Sequence, residues 1–159
     1  MARLRYLLDT NILSEPIAAR PNPFVLERIK ATGASLAISS VTWQEVLYGM
    51  FLLPAGKRRH RIEGYLFRRI LPALPIIGFD GRAAQWQAEQ RARLRQAGSS
   101  HAYPDSQIAA IAAVNDLVLV TRNSVDFADF RGLQIENWFE EYTSDPGGHM
   151  IHDRVFRGR

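Results

Sequence analysis

Short aliphatic runs alternate along this chain with longer stretches in which apolar positions recur every three or four residues. Arg5-Tyr6-Leu7-Leu8-Asp9 is the first run and ends on a carboxylate; Ser35-Leu36-Ala37-Ile38-Ser39, Leu74-Pro75-Ile76-Ile77-Gly78-Phe79 and Leu117-Val118-Leu119-Val120-Thr121 follow the same form. Runs this short and this uniformly apolar read as strands buried on both faces. Gln134-Ile135-Glu136 is a weaker last strand. Between the runs lie helical patterns. Asn22 and Pro23 open one through Phe24, Leu26, Ile29 and Lys30, and a second runs from about Thr42 to Leu53, where Pro54-Ala55-Gly56 stops it. A third carries Ile62, Leu66, Ile70 and Leu71. Asp80 caps a long helix bearing Ala84, Trp86, Ala88 and Leu94 that ends near Gly98, and Pro104 with Asp105 opens an alanine-rich helix to about Asn115. Strands alternating with helices predict an α/β fold, a three-layer α/β/α domain around a parallel sheet of about five strands. In such sheets active sites lie beyond the carboxyl ends of the strands, so the residues after each strand are the ones to inspect.

Four carboxylates meet that rule or come close to it. Asp9 ends the first strand, Glu45 lies in the first turns of the helix after the second, Asp105 starts the alanine-rich helix, and Asp126 follows the strand ending at Thr121. Each has an ordinary structural explanation. Thr42-x-x-Glu45 matches a helix capping box, Asp105 after Pro104 suits a helix N-terminus, Asp9 and Asn11 fit an Asx-type turn, and Asp126 fits the cap of a short helix. Capping, however, does not require acids after several strands of one sheet. Crowded carboxylates repel one another unless a cation neutralises them, and an all-oxygen cluster suits Mg²⁺ or Mn²⁺, ions that activate water and stabilise phosphoryl charge.

Charge adds to that picture. The 159 residues carry a formal net charge of +4, and the excess is uneven: Lys57, Arg58, Arg59, His60 and Arg61 form one block, Arg91, Arg93 and Arg95 another. A basic surface favours a polyanion, although it equally serves as a solvated face. Together with the acids it points to phosphodiester hydrolysis.

Several classes drop out. The chain has no cysteine, which excludes disulfide frameworks, thiolate zinc sites and cysteine nucleophiles. No apolar run approaches the ~20 residues that cross a bilayer, and Met1-Ala2-Arg3-Leu4-Arg5 leads straight into a strand pattern; a cytoplasmic protein without a leader or membrane partner is expected. His60, His101, His149 and His152 show no zinc spacing, no glycine-rich phosphate loop is present, and Trp43, Trp86 and Trp138 read as core or interface residues. The length fits one domain, drawn over residues 1–142. The tail 143–159 is set apart, because Pro146-Gly147-Gly148-His149-Met150 reads like a linker or cloning junction and would make the residues after it partly foreign.

The motifs carry a resemblance. Leu7-Leu8-Asp9-Thr10-Asn11, the segment from Ser39-Ser40-Val41-Thr42 through Glu45 to Gly49, Pro104-Asp105-Ser106-Gln107 with its alanine-rich continuation, and Leu119-Val120-Thr121-Arg122-Asn123-Ser124-Val125-Asp126-Phe127 resemble the four successive motifs of PIN-domain ribonucleases. Ser14-Glu15-Pro16 and the turn Leu52-Leu53-Pro54-Ala55-Gly56-Lys57-Arg58-Arg59 resemble the FitB-like relatives of VapC toxins. The similarity runs from about Leu4 to about Phe139. It implies a metal-dependent endoribonuclease, the toxin of a bacterial toxin–antitoxin pair, that hydrolyses RNA with metal-activated water. Asp9, Glu45, Asp105 and Asp126 would be the catalytic acids and Mg²⁺ or Mn²⁺ ligands. Thr10, Asn11, Thr121 and Asn123 would orient them, and Arg122, Lys57, Arg58, Arg59 and Arg61 would meet the RNA backbone. Related sequences place the fourth acid either directly after the Thr-Arg pair, where Asn123 stands here, or three residues later, at Asp126; Asn123 could serve only as a neutral ligand. The implied partners are RNA, a cognate antitoxin, a second copy of the chain in a homodimer, a higher assembly with antitoxin, and operator DNA through the antitoxin alone. A phosphatase of the haloacid-dehalogenase type also begins with an Asp after a strand, but wants a second Asp where Asn11 stands. A non-catalytic nucleic-acid-binding regulatory module of the same fold is the alternative from another class.

Overall fold

The structure, a computed structural model, describes residues 2–140. The tail from 143 and its two histidines lie outside the described residues. Five parallel strands form one sheet in the order β3-β2-β1-β4-β5: β1 (Tyr6–Leu8), β2 (Leu36–Ser39), β3 (Ile76–Ile77), β4 (Val118–Val120) and β5 (Gln134–Glu136). Side chains alternate across it. Tyr6, Leu8, Leu36, Ile38, Val118 and Val120 point into one core with Ile12, Val25 and Trp138, while Leu7, Ala37 and Leu119 point into another with Ala109, Ile111 and Phe127. Two apolar faces need two helical covers, and that is why the strands read as continuous hydrophobic runs.

Helices α2 (Pro23–Thr32) and α3 (Ser40–Leu52) belong to the first layer, with α4 (Lys57–Tyr65) following α3. Helices α6 (Gly81–Gln96) and α7 (Tyr103–Val114) form the second. In α7 the run from Ile108 to Ala112 is at most 1% exposed, so its small alanines let α6 and the sheet approach closely. Helix α6 buries Ala83, Gln87 and Leu94 rather than Ala84 and Ala88, which are exposed. The inward stripe carries an amide, Gln87, satisfied by donating to Ser106 Oγ at 2.8 Å, and a purely apolar criterion passes over it. Asp80 caps α6 as expected, accepting from the Ala83 N–H at 2.9 Å.

Four local features add detail to the expected elements. A one-turn helix, α1 (Thr10–Leu13), starts directly after β1, with Asp9 as its N-cap. Short 3₁₀ turns follow at Glu15–Ile17 and Gly33–Ser35. After α4 the chain widens into a π turn, Leu66–Ile70, whose last bond runs from the Leu71 N–H to the Leu66 carbonyl. Pro72 stands in the next turn, α5 (Leu71–Ala73), and has no N–H to continue the ladder, which favours such a widening. Helix α8 (Ser124–Phe127) is a single turn between β4 and β5.

The strand order fixes where chemistry can sit. From β1 the chain winds outward through β2 and β3 on one side, then returns to place β4 on the other. In open α/β sheets such a reversal marks where a ligand crevice forms, here at the carboxyl ends of β1 and β4.

Candidate functional site

Asp9 stands at the end of β1 on the floor of that crevice, 7% exposed. Its Oδ1 accepts from the Thr10 N–H at 2.7 Å, and its Oδ2 accepts from the Thr121 hydroxyl at 2.7 Å and, at 3.4 Å, from the Asn11 amide. Thr121 follows β4, so this bond ties the two central strands together at the switch point. The same hydroxyl oxygen accepts from the Asn123 N–H at 3.1 Å and the Asn11 amide at 3.4 Å. Asn123 thus enters the network through its backbone. Asn11 Oδ1 accepts from the Arg122 N–H at 3.0 Å.

Glu45 comes from the second turn of α3. Its Oε2 accepts the Thr10 hydroxyl at 2.6 Å, so Thr10 touches Asp9 with its backbone and Glu45 with its side chain. The capping-box reading of Thr42 and Glu45 is corrected here. Ser39 is the cap, accepting from the Thr42 N–H at 2.9 Å, and the Glu45 carboxylate is turned to the crevice. Asp105 lies in the first turn of α7 without capping it, since Ala102 holds the cap position and makes no side-chain bond there. Asp126 lies in α8, whose cap position, Asn123, likewise makes no side-chain bond.

The acids feel one another. Burial pushes the Asp9 carboxyl above its ordinary value; the Thr121 and Thr10 donors pull it partly back, and Asp126 adds to the rise. Burial also raises Asp105, reinforced by the negative charges of Asp9, Asp126 and Glu45 and opposed by His101. Four hard oxygen donors, two of which, Asp9 and Asp105, are raised by burial and by neighbouring carboxylates, match a small divalent cation in kind. Among the described residues, no group of three or more His, Cys, Asp or Glu side chains stands close enough to hold a metal ion. The donors fit by chemistry and by mutual repulsion, while their side chains stand apart.

Arg122 projects its guanidinium over the Phe139 ring at 4.7 Å. In the basic block, Lys57, Arg58 and Arg61 are exposed at the start of α4; Arg59 reaches the Leu53 carbonyl at 3.5 Å and the Phe51 ring at 5.5 Å, and Arg61 reaches the Ile17 carbonyl at 3.4 Å. Sequence reasoning missed His101. Its Nδ1 lies 3.1 Å from the Asp126 carbonyl oxygen, and a lone histidine four residues ahead of Asp105 carries no spacing signal. A recess of about 740 Å³ at the opposite, amino end of the strands, lined by Arg3, Arg5, Ser35 and Asp116, has no part in the acid cluster.

The profile of the PIN domain matches residues 6–133, most of the chain. The chain belongs to the PIN domain family. It is 36% identical over 137 residues to the plasmid stability protein StbB of Pseudomonas syringae pv. tomato, covering 84% of this chain and 98% of that protein. It is 32% identical over 136 residues to the tRNA(fMet)-specific endonuclease VapC of Salmonella typhimurium, covering 85% and 98%. In three dimensions it superposes on the structure of FitAB bound to an IR36 DNA fragment with a TM-score of 0.81 at 27% identity, over 88% of this chain and 99% of the other. Within the family it is closely related to the VapC- and FitB-type toxins of toxin–antitoxin systems. The three-layer α/β/α architecture read from the sequence is the one found. No helix among the described residues is long and apolar enough to cross a membrane.

Proposed function

We propose that this chain is a metal-dependent endoribonuclease acting as the toxin of a toxin–antitoxin pair. What supports the reading is that Asp105 lies within electrostatic reach of Asp9, Asp126 and Glu45, whose charges add to the effect of burial in raising its proton affinity. Asp9, Glu45, Asp105 and Asp126 would hold Mg²⁺ or Mn²⁺. A bound ion of this kind supplies Lewis-acid activation of water and offsets charge on the phosphoryl oxygens. The residues of the chain do the rest. Thr121, Thr10 and Asn11 orient the Asp9 and Glu45 carboxylates by the bonds described above. Arg122, with its backbone anchored on Asn11, offers a cation at the crevice rim to an RNA phosphate. The block of Lys57, Arg58, Arg59 and Arg61 extends a basic surface along α4 for the RNA strand.

The kinship with VapC- and FitB-type toxins supports a cognate antitoxin and DNA as partners, FitAB being bound to a DNA fragment in its structure; a homodimer, a higher assembly with the antitoxin and contact with operator DNA through the antitoxin alone complete the reading. An antitoxin cation inserted among the four acids would silence the site by the same electrostatics that favours an ion there. A second reading, a nucleic-acid-binding regulatory module without catalysis, draws on the separation of the acid side chains.

Cleavage of a panel of structured RNAs, transfer RNA included, separates the two. Wild type and Asp9→Asn are compared with Mg²⁺, Mn²⁺ or EDTA, after removal of any copurifying antitoxin. Cleavage that requires metal and is lost in the variant is expected. RNA binding without cleavage in both proteins would move the binding module ahead.

A further inference from the structure

We propose that His101 is a positioning residue for the acid cluster, its ring tying the backbone that carries Asp126 to the turn that launches the helix carrying Asp105. The inference rests on the nuclease reading above and adds a residue to its machinery.

The geometry is directional. The Asp126 carbonyl oxygen can only accept, so the proton between it and His101 Nδ1, at 3.1 Å, resides on the nitrogen. That holds for the neutral ring and for the charged ring alike. At the other edge Nε2 faces Ser99 Oγ and Asp129 Oδ2, each at 3.4 Å: the neutral ring accepts there from Ser99, the charged ring donates to Asp129. The ring is 11% exposed and lies 4.8 Å from the Phe130 ring.

The other end of the tie is the His101 backbone. Its carbonyl accepts from Arg91 Nη1 at 3.1 Å, and the same nitrogen reaches Ser106 Oγ at 3.3 Å. Ser106 adjoins Asp105 and is fully buried, bonded also to Gln87 and to the Tyr103 carbonyl. A continuous path therefore runs from the Asp126 carbonyl through the His101 ring and backbone to Arg91 and the first turn of α7. Helix α8 needs such a support. It is one turn long and lacks a side-chain cap; Thr121 holds the Asn123 N–H at its start, and Arg93 bonds the Asp129 carbonyl beyond its end, at 2.6 Å. A pair of acids meant to act on one ion must be held to within a fraction of an ångström, and His101 couples the elements bearing two of them.

The test uses the full chain, freed of any copurifying partner. His101→Asn keeps an N–H donor near the Nδ1 position; His101→Leu keeps similar bulk without a donor. Mn²⁺ affinity is read from the resonance of free Mn²⁺, and kcat and KM from RNA cleavage. The Leu variant is expected to bind Mn²⁺ about 10–100-fold more weakly and to lose kcat with little change in KM, while Asn stays near wild type. Wild-type Mn²⁺ affinity in the Leu variant overturns the proposal, as does an Asn variant that folds yet falls as far as Leu. Should the Leu variant not fold, His101→Gln replaces it: its amide reaches the Nε2 position, and equal Mn²⁺ affinity in Gln and Asn overturns the proposal. Wild type that takes up no Mn²⁺ sensitive to Asp9→Asn sinks the nuclease reading itself, whereas wild type that binds while all His101 variants match it sinks only the role of His101.

Discussion

At the scale of single residues, the Thr121 hydroxyl joins as much of the site as the Asp9 carboxylate does. It donates to Asp9 and accepts from Asn11 and Asn123, within a residue that is fully buried. Thr121→Val keeps the shape and removes all three bonds. Leaving a buried carboxylate short of a donor costs about 1–3 kcal/mol, seen as a lower urea midpoint, and loss of an orienting partner lowers metal affinity about 10–100-fold; Thr121→Ser should restore both. A second prediction concerns pH. Asp9 and Asp105 have folded pKa values raised above 3.8, so the folded chain holds these protons more tightly than the unfolded one. Their contribution to stability is complete below that value and is lost as pH rises through the raised values. Asp80, lowered by the Ala83 N–H, runs the opposite way. Metal-free Asp105→Asn should therefore melt progressively higher than wild type as pH climbs from acid to neutral, and Mn²⁺ should narrow the gap; a difference independent of pH would remove charge repulsion as its cause. These roles were visible in the sequence only as far as residue type and order after strands. Which donor meets which acid was not, because the Asp9–Thr121 bond spans 112 positions.

Among the elements, helix α3 shows how a local motif misleads. Both Ser39-x-x-Thr42 and Thr42-x-x-Glu45 have capping spacing, and the chain alone does not say at which residue the strand gives way to the helix. The helix starts at Ser40, Ser39 caps it, and Glu45 is released to the crevice. Ser39→Ala should destabilise the fold by about 1–2 kcal/mol, since the buried cap is lost. Glu45→Gln should leave the urea midpoint near wild type while suppressing RNA cleavage; a matching loss of stability would return Glu45 to a structural role. Elements long enough to repeat a pattern, such as α6 and α7, were found within a few residues of their ends. Helices α1 and α8, at four residues each, and the π turn are shorter than any periodicity that could announce them.

The whole molecule adds what neither residues nor elements carry: strand order. Alternation of strands and helices predicted a parallel sheet, but the reversal that sets β1 beside β4 depends on tertiary pairing. One surface feature also belongs to this scale. Tyr48, Phe51 and Leu52 share one face of α3 at 59%, 57% and 67% exposure, a concentration of apolar side chains that suits the homodimer proposed above. Leu52→Lys should shift the chain from dimer to monomer in sedimentation equilibrium without lowering its melting temperature; a wild type already monomeric would free this face for another role. The central position of β1 has a last consequence, for synthesis on the ribosome. Of the five strands β1 is made first; it is flanked on one side by β2, within reach early, and on the other by β4, which pairs Leu8 with Val120 only after β2, β3 and the helices between have been translated. A nascent chain that stops short of β4 holds Asp9, Glu45 and Asp105 but no Thr121 to seat the first of them. The acid cluster is thus an arrangement that the growing chain cannot complete early, and its activity would begin only once β4 and α8 have left the ribosomal tunnel and docked.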